Sequence, residues 1–432
     1  MTFQNITGTF DILPDETSAD GARIPGSAAW RHLEATIHHV MALFDMREIR
    51  TPILEPTELI ARGVGQTTDI VTKEMFAFER GDTRYVLRPE VTAPVMRAYL
   101  QHHLDQRGGI QKLYYIGPCF RAERPQKGRY RQFHQFGAEV IGTEDPRADA
   151  ETIACMMAVY EELGLSDLHL RINTLGYPSA RGPYREALRA YFEPHLPVLS
   201  ATSRERLQTN PLRILDTRDK RERALLEDAP RLIEFVGEAA RAYFDEVKAL
   251  LQQTGIAYEE DLLLVRGLDY YAHTTFELES PRLGAQSALA GGGRYDFLAE
   301  DLGSSERVPA VGFAAGIERL FLAMLAEGSP IPVEEPPDVF IIALGAASGR
   351  RALSIALELR GAGLRTGLDL KGRSMKAQMR EANRQNVRLA VIIGDNELEQ
   401  GMAHVKDMQT GEQQQVPLSD LRSRVREALR LP

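Results

Sequence analysis

Cysteine is scarce in this sequence. Its two thiols, Cys119 and Cys155, lie far apart in no CxxC or Cys/His spacing. That excludes a disulfide framework and a cysteine-bound structural zinc, and it fits a reducing compartment. No apolar run approaches the roughly 18 residues that a membrane-spanning helix requires, so no membrane partner is expected. The opening MTFQNITGTFDILPDE has no basic stretch ahead of an apolar core, and no secretion signal is expected. His38/His39 and His102/His103 are adjacent pairs, which cannot both face one ion from a helix, so no metal site is expected. Repeats and low-complexity tracts are absent as well. What remains is the composition of a cytosolic globular protein, with 432 residues, 43% hydrophobic and 26% charged. That length suits two or three domains.

The formal net charge of −9 argues at first against a nucleic-acid partner. Its distribution argues otherwise. From Pro337 onward there are 15 basic and 11 acidic residues, a net of +4, against −13 for the rest. Residues 360–388 hold eight basic and two acidic residues. A local basic surface can bind phosphates on an acidic protein, although a solvated helix face would look the same.

Apolar residues at 30, 33, 37, 40, 41 and 44 repeat at helical spacing, then IRTPILEP reads as extended because of its prolines. Strand patterns follow at 85–87, 112–116, 135–141 and 169–173, with helices at about 92–103 and 149–163. A charge-rich helical insertion spans about 180–255. Strands return at 262–264 and 274–278, then a glycine-rich turn, then 311–313 running into a helix to about 325. This mixture predicts an antiparallel α+β core over residues 1–327. The proline-rich GSPIPVEEPPD, 328–338, reads as a linker. Beyond it, strands DVFIIAL and LAVIIG alternate with helices at 349–360 and 374–386, which predicts a small α/β domain over 339–432 with a largely parallel sheet. GLDLKGRS, 367–374, nearly spells a phosphate loop, but Arg373 stands where the lysine belongs.

The segment YYIGPCFRAERPQKGRYRQFHQFGAEV, 114–140, carries the densest chemistry. A strand ending at Phe120 leads through Arg121, Glu123 and Arg124 to a basic, flexible tip, then back into a strand with Phe133, Gln135 and Glu139. Such a hairpin suits a phosphate-bearing ligand at its base and RNA at its tip; an exposed tip is also often basic for solubility alone. FRAERPQKGRYRQFHQ resembles the second signature motif of class II aminoacyl-tRNA synthetases in its bacterial histidyl form. LVRGLDYYAHTTFE, 264–277, resembles a motif of histidine–tRNA ligases. GGGRYDFLAEDLG with PAVGFAAGIERLFL, 291–322, resembles the third class II motif. GTFDILPDE and the 28–56 helix–strand resemble the first, which forms a dimer interface. YVLRPEVTAP, 85–94, is similar to the family's amino-acid-binding turn, with Val91 where many bacterial members have glycine. The resemblance covers essentially the whole chain.

It implies a homodimeric enzyme that joins L-histidine to its tRNA through an ATP-derived adenylate, with Mg2+ accompanying ATP. The α/β domain would bind the anticodon. In this chemistry a carboxylate approaches the α-phosphorus of ATP, and two anions must be held together by cations. Arg121 suits the α-phosphate, Arg266 the other side of the reacting centre, and Arg319 the γ-phosphate end. A buried Arg319 among apolar neighbours needs an anionic partner, which a ligand phosphate would supply. Gly312 and Gly316 would let backbone approach the nucleotide, Phe133 would stack on adenine, and Glu123 would orient the nucleotide or a Mg2+ ion. A lone arginine or phenylalanine in such places is more often surface charge or core. The resemblance puts Glu139 and Tyr271 at the imidazole, and Glu90, Val91, Thr92 and Gln135 at the ammonium side. Tyr270 closes the wall, with Arg121 and Arg266 at the carboxylate. A pocket that hydrogen-bonds the ring discriminates without an editing domain. Arg124 and Gln126 would contact the acceptor end of tRNA. Lys376, Arg380 and Arg384 would line one face of helix 374–386 toward the anticodon arm, with Met375, Met379 and Ala382 packing on the sheet.

Two rivals remain open. One is the histidine-sensing regulatory paralogue of ATP phosphoribosyltransferase, which keeps the fold but typically loses the RNA-binding loop, the Arg266-type arginine and the C-terminal domain. The other is a class II synthetase for threonine, proline or glycine, against which RGLDYY counts.

Overall fold

An eight-stranded sheet forms the centre of the larger of two units, Met1–Val333 and Glu334–Pro432. The structure is a computed structural model and describes residues 3–66, 68–217 and 219–430. The strands are β1 (Arg47–Glu48), β2 (Gln111–Phe120), β3 (Gln132–Ile141), β4 (His169–Thr174), β5 (Glu259–Glu260), β6 (Ala272–Glu279), β7 (Ala288–Arg294) and β8 (Ala310–Gly316). In space they run β5-β4-β6-β7-β8-β3-β2-β1, antiparallel from β4 to β2, with the outermost β5 and β1 parallel to their neighbours.

Successive side chains of a strand point to opposite faces, and this alternation divides the sheet. Phe136, Ala138 and Val140 of β3, Leu170 and Ile172 of β4, and Phe276 and Leu278 of β6 share one apolar core. That face is covered by helices α1 (Ser27–Leu43), α2 (Pro146–Glu162), α3 (Glu238–Gln253) and α4 (Ile317–Glu327). In α1 the buried Trp30, Leu33, Ile37, Val40 and Met41 are the helical stripe expected from spacing. The intervening strand residues, among them Phe133, Gln135, Arg171, Glu277 and Glu279, line a cavity on the opposite face. Within the expected insertion, helices Ala201–Thr209 and Lys220–Leu226 close that cavity from the other side, whereas α3 returns to the sheet.

Two expectations about elements fail for identifiable reasons. Residues 262–264 form a turn, because Asp261 Oδ1 accepts the Leu263 N–H at 2.9 Å and bends the chain away from pairing. The glycine-rich stretch at 291–293 is strand β7 in mid-sheet, because other groups occupy the places its side chains would take. A Cβ on Gly291 would lie 2.0 Å from the Arg266 guanidinium, and one on Gly292 would lie 2.2 Å from the Gly312 carbonyl oxygen.

The smaller unit has strands β9 (Val339–Leu344), β10 (Thr366–Leu368), β11 (Leu389–Gly394), β12 (Met402–Asp407) and β13 (Gln413–Pro417), ordered β10-β9-β11-β12-β13. The first three are parallel and the last two join as an antiparallel hairpin. Helices α5 (Ala346–Gly361), α6 (Met375–Arg384) and α7 (Leu421–Ala428), with a short helix Asp395–Glu399, complete it. On α6, Met379 and Ala382 pack on the sheet as expected, but Met375 is exposed. Gln378 takes the buried place, its amide joined to the Ala343 backbone and the Arg373 carbonyl. The GLDLKGRS loop satisfies itself, with Arg373 paired to Asp369 at 2.5 Å.

The most deeply buried charges of the larger unit tie β7 to the helical layer. Arg294 and Asp149 are fully enclosed and ion-paired at 2.5 Å, and Arg294 also reaches Asp296 at 3.2 Å. Tyr243 donates to Asp149 at 2.7 Å. Removing one member of such a pair strands the other, so Asp149→Ala should lower the unfolding free energy by about 3–5 kcal/mol in urea titration. A loss below about 1 kcal/mol would show that Asp296 alone neutralises Arg294.

Candidate functional site

The cavity between the sheet and the helical insertion has a volume of about 1260 Å³. Eleven of the sequence-predicted residues line it together: Glu90, Thr92, Arg121, Glu123, Phe133, Gln135, Arg266, Tyr270, Tyr271, Gly316 and Arg319. They come from five separate stretches of chain that only the sheet order brings together.

Arg121 leaves the end of β2, donates to the Pro89 carbonyl at 3.0 Å and lies over the Phe133 ring at 5.2 Å from its centroid. Glu123 takes Arg129 at 3.1 Å and Arg121 at 3.8 Å, so in this structure it is a counter-ion shared by two guanidiniums. Arg319, in the first turn of α4, rests on neutral oxygens: the carbonyls of Gly128 (3.2 Å) and Ala288 (2.8 Å) and the Gln286 amide (3.4 Å). Burial and the nearby charges of Arg129 and Arg121 push its guanidinium down to about 10, opposed in part by Glu123. Glu90 accepts the backbone N–H groups of Thr92 (2.8 Å) and Ala93 (3.0 Å) at the start of helix Thr92–Gln101. Burial raises its carboxyl above the ordinary range. Tyr270 and Tyr271 form an adjoining wall, their ring centroids 4.6 Å apart.

Several expected residues lie elsewhere. Glu139 does not line the cavity. It is four residues beyond Gln135 on the same face of β3, where Thr92 Oγ1 donates to it at 2.7 Å and Tyr295 at 2.5 Å. Burial pushes its carboxyl up to about 8, against those two donors. Val91 is buried in the core at φ −121°, a negative value open to any L residue, so the absence of glycine there brings no strain. Gly312 makes room for protein and not for a nucleotide, since a Cβ on it would lie 1.7 Å from Glu139 Oε2. Gly316 does line the cavity, and its Cβ would meet nothing closer than Arg319 at 3.9 Å. Arg124 and Gln126 are exposed outside the cavity. The loop that carries them is less free than its composition suggests. Gln126 and Arg129 close a tight turn by reciprocal backbone bonds, and Gly128, at φ +74°, packs against Leu322 and Arg319. Lys376, Arg380 and Arg384 are exposed along α6 in the smaller unit, with Arg384 also paired to Glu381.

Sequence reasoning missed Arg171, Glu277 and Tyr295. Glu277 and Glu279 are two apart in a strand and therefore share a face, which was a legible signal. Their bond to Arg171, more than a hundred residues away, was not. Among the described residues, no group of three or more His, Cys, Asp or Glu side chains is placed to hold a metal ion.

The Glu139 carboxyl generates a pH expectation. A group whose pKa is raised on folding favours the folded state while protonated. That contribution is full below the unfolded value, near 4.5, and is lost as pH rises through about 8. Glu139→Gln removes this titration. The parent should therefore lose urea stability relative to the variant between about pH 5 and about pH 9, and parallel pH profiles would show that Glu139 is already ionised at the lower pH.

The family model for histidyl-tRNA synthetase matches residues 25–320, and that for the anticodon binding domain matches residues 338–428. The histidine–tRNA ligase of Chlorobium phaeobacteroides (strain BS1) is 50% identical over 426 residues, covering 98% of this chain and 96% of its own. That of Chlorobium luteolum (strain DSM 273) is 47% identical over 428 residues, covering 98% and 97%. Among solved structures, the apo histidyl-tRNA synthetase of S. aureus superposes with a TM-score of 0.80 at 38% identity, over 98% of this chain and all of that one. The α+β catalytic core, its helical insertion and the α/β C-terminal unit are thus those of a class II synthetase. With both models matched in order and half the residues identical along nearly the full length, the chain belongs to the histidyl-tRNA synthetase family.

Proposed function

We propose that this chain is a histidine–tRNA ligase that binds ATP and L-histidine in the cavity between sheet and insertion. The observation that carries the reading is the meeting of Arg121, Arg266 and Arg319 in one cavity with a buried wall of carboxylates and tyrosines. The histidine carboxylate oxygen attacks the α-phosphorus of ATP, the bond to the β-phosphate oxygen breaks, and diphosphate leaves. A ribose hydroxyl at the tRNA 3′ end then attacks the adenylate carbonyl and releases AMP.

Arg121 would neutralise the α-phosphate and Arg266 the reacting carboxylate. Arg319 would gain in the γ-phosphate the anion that its neutral oxygens do not provide. Phe133, already faced by Arg121, offers its ring to adenine. Tyr271 would receive the imidazole and Tyr270 would close the wall. Glu139 would act on the imidazole through Thr92, whose hydroxyl it fixes by accepting its hydrogen bond at 2.7 Å. Glu90, Thr92 and Gln135 would surround the ammonium, with the backbone at Val91 shaping the turn. Mg2+ would arrive with ATP. The carboxylate best placed for it is Glu123, and since that group already serves two arginines, phosphate and water would supply the ion's other ligands. Arg124 and Gln126, outside the cavity, would contact the acceptor end of tRNA. Exposed Leu43, Ile53 and Leu54 on the first-motif segment support a homodimer. No described helix is long and apolar enough to cross a membrane, and a cytoplasmic location suits the reaction. The regulatory paralogue is disfavoured because the 122–131 loop, Arg266 and the C-terminal unit are all present.

ATP–pyrophosphate exchange across the twenty amino acids tests the reading: histidine alone should support it, and exchange with any other amino acid and not histidine would overturn it. In the same assay Arg266→Ala should lose on the order of 10²–10³ in rate while binding ATP and histidine. A loss below about tenfold in a folded variant would remove Arg266 from the chemistry.

The exposed stripe Lys376, Arg380 and Arg384 would face the tRNA backbone. Replacing all three with alanine should weaken tRNA binding and flatten its salt dependence by up to about three units of log–log slope, roughly one per phosphate. An unchanged slope would make the stripe a solvated surface.

A further inference from the structure

The loop that carries Arg266 lies between β5 and β6 and has no regular structure of its own at that point. An arginine there has four rotatable side-chain bonds and needs an external hold to present its charge in one direction. Two neighbours supply it. The Glu277 carboxylate of β6 forms an ion pair with Arg266 Nη1. Gly291 of β7 leaves the space the guanidinium fills, for its missing Cβ would fall 2.0 Å from Arg266 Nη2. Glu277 is itself fixed. Its other oxygen accepts from Arg171 Nη2 at 2.8 Å, and Arg171 is spread over Asp261 (2.6 Å), just past β5, and Glu279 (2.7 Å) on β6. Arg171, Glu277 and Arg266 all line the cavity, so the series of ion pairs runs along its wall.

We infer that Glu277 is a positioning residue for activation: anchored by Arg171, it holds the Arg266 guanidinium against Gly291 and aims its free edge at the reacting carboxylate. The inference rests on the proposed role of Arg266. Glu277 touches neither substrate. It converts a loop arginine into a preorganised cation by referring it to the central sheet, and small misplacements of such a group carry large rate penalties.

Pyrophosphate exchange on the full-length protein tests this. Glu277→Gln keeps the shape and removes the charge. It should lower kcat by about tenfold to a hundredfold while the KM values for ATP and histidine stay within about threefold. In an Arg266→Ala background the same substitution should cost less than about twofold, because the two act as a unit. Should Glu277→Gln fail to fold by thermal unfolding, Arg171→Met frees Glu277 from its anchor and should give the same kcat-only loss. An unchanged kcat, an undiminished loss in the Arg266→Ala background, or a large shift in the Mg2+ requirement would each overturn the inference; the last would make Glu277 a metal ligand. The two readings fail separately. An active Arg266→Ala variant removes the role of Arg266, whereas an inactive one beside a fully active Glu277→Gln removes only that of Glu277.

Discussion

Arg319 holds its positive charge in a half-buried place without a carboxylate at ion-pair distance among the described residues, and two more guanidiniums stand close by. Glu123 serves both of these, Arg121 and Arg129, while Arg319 leans on carbonyl and amide dipoles. Like charges at short range in a partly enclosed cavity repel, and this repulsion adds to the burial that lowers the pKa of Arg319. A folded protein tolerates such an arrangement when the rest of the structure fixes the groups in place. Here β2, α4 and the turn at Gly128 come from separate parts of the chain, and the eight-stranded sheet holds them in register. The unrelieved charge is what supports the proposal of a polyanion site here.

The sheet carries polar groups on its cavity face because they are matched from a neighbouring strand, helix or loop. Arg171 meets Glu277 and Glu279 across β4 and β6. Glu139 on β3 fills the space left by Gly312 on β8 and is capped by Thr92 and Tyr295. Arg266 fills the space over Gly291 on β7. Glycines therefore act in this sheet as places where a neighbour's charged side chain lies directly on backbone. Below the sheet the alternate residues are apolar and pack on four helices, so the same strands serve stability on one face and chemistry on the other.

Much of this was legible beforehand where a pattern is local. The stripe of α1, the strands around the 122–131 loop, and the strand–helix alternation after residue 337 follow from periodicity and proline placement alone. The motifs collected eleven residues that line one cavity. What the sequence did not disclose depends on strand order. Three consecutive glycines read as a turn, because nothing local says that Arg266 and Phe276 will occupy their side-chain space. Glu139 read as a lining residue, because nothing local places Thr92 and Tyr295 over it. Glu277 and Arg171 passed unremarked because each is an ordinary surface charge until β4 and β6 are adjacent. The turn at Asp261 was hidden in an apolar run whose only warning was one aspartate.

The central claim is that this cavity is an electrostatic site awaiting phosphates, and calorimetric titration of the protein with ATP and with adenosine measures it directly. ATP should bind at least about tenfold more tightly than adenosine, with the advantage shrinking as ionic strength rises. Adenosine binding as tightly as ATP, at low and high salt alike, would contradict the account.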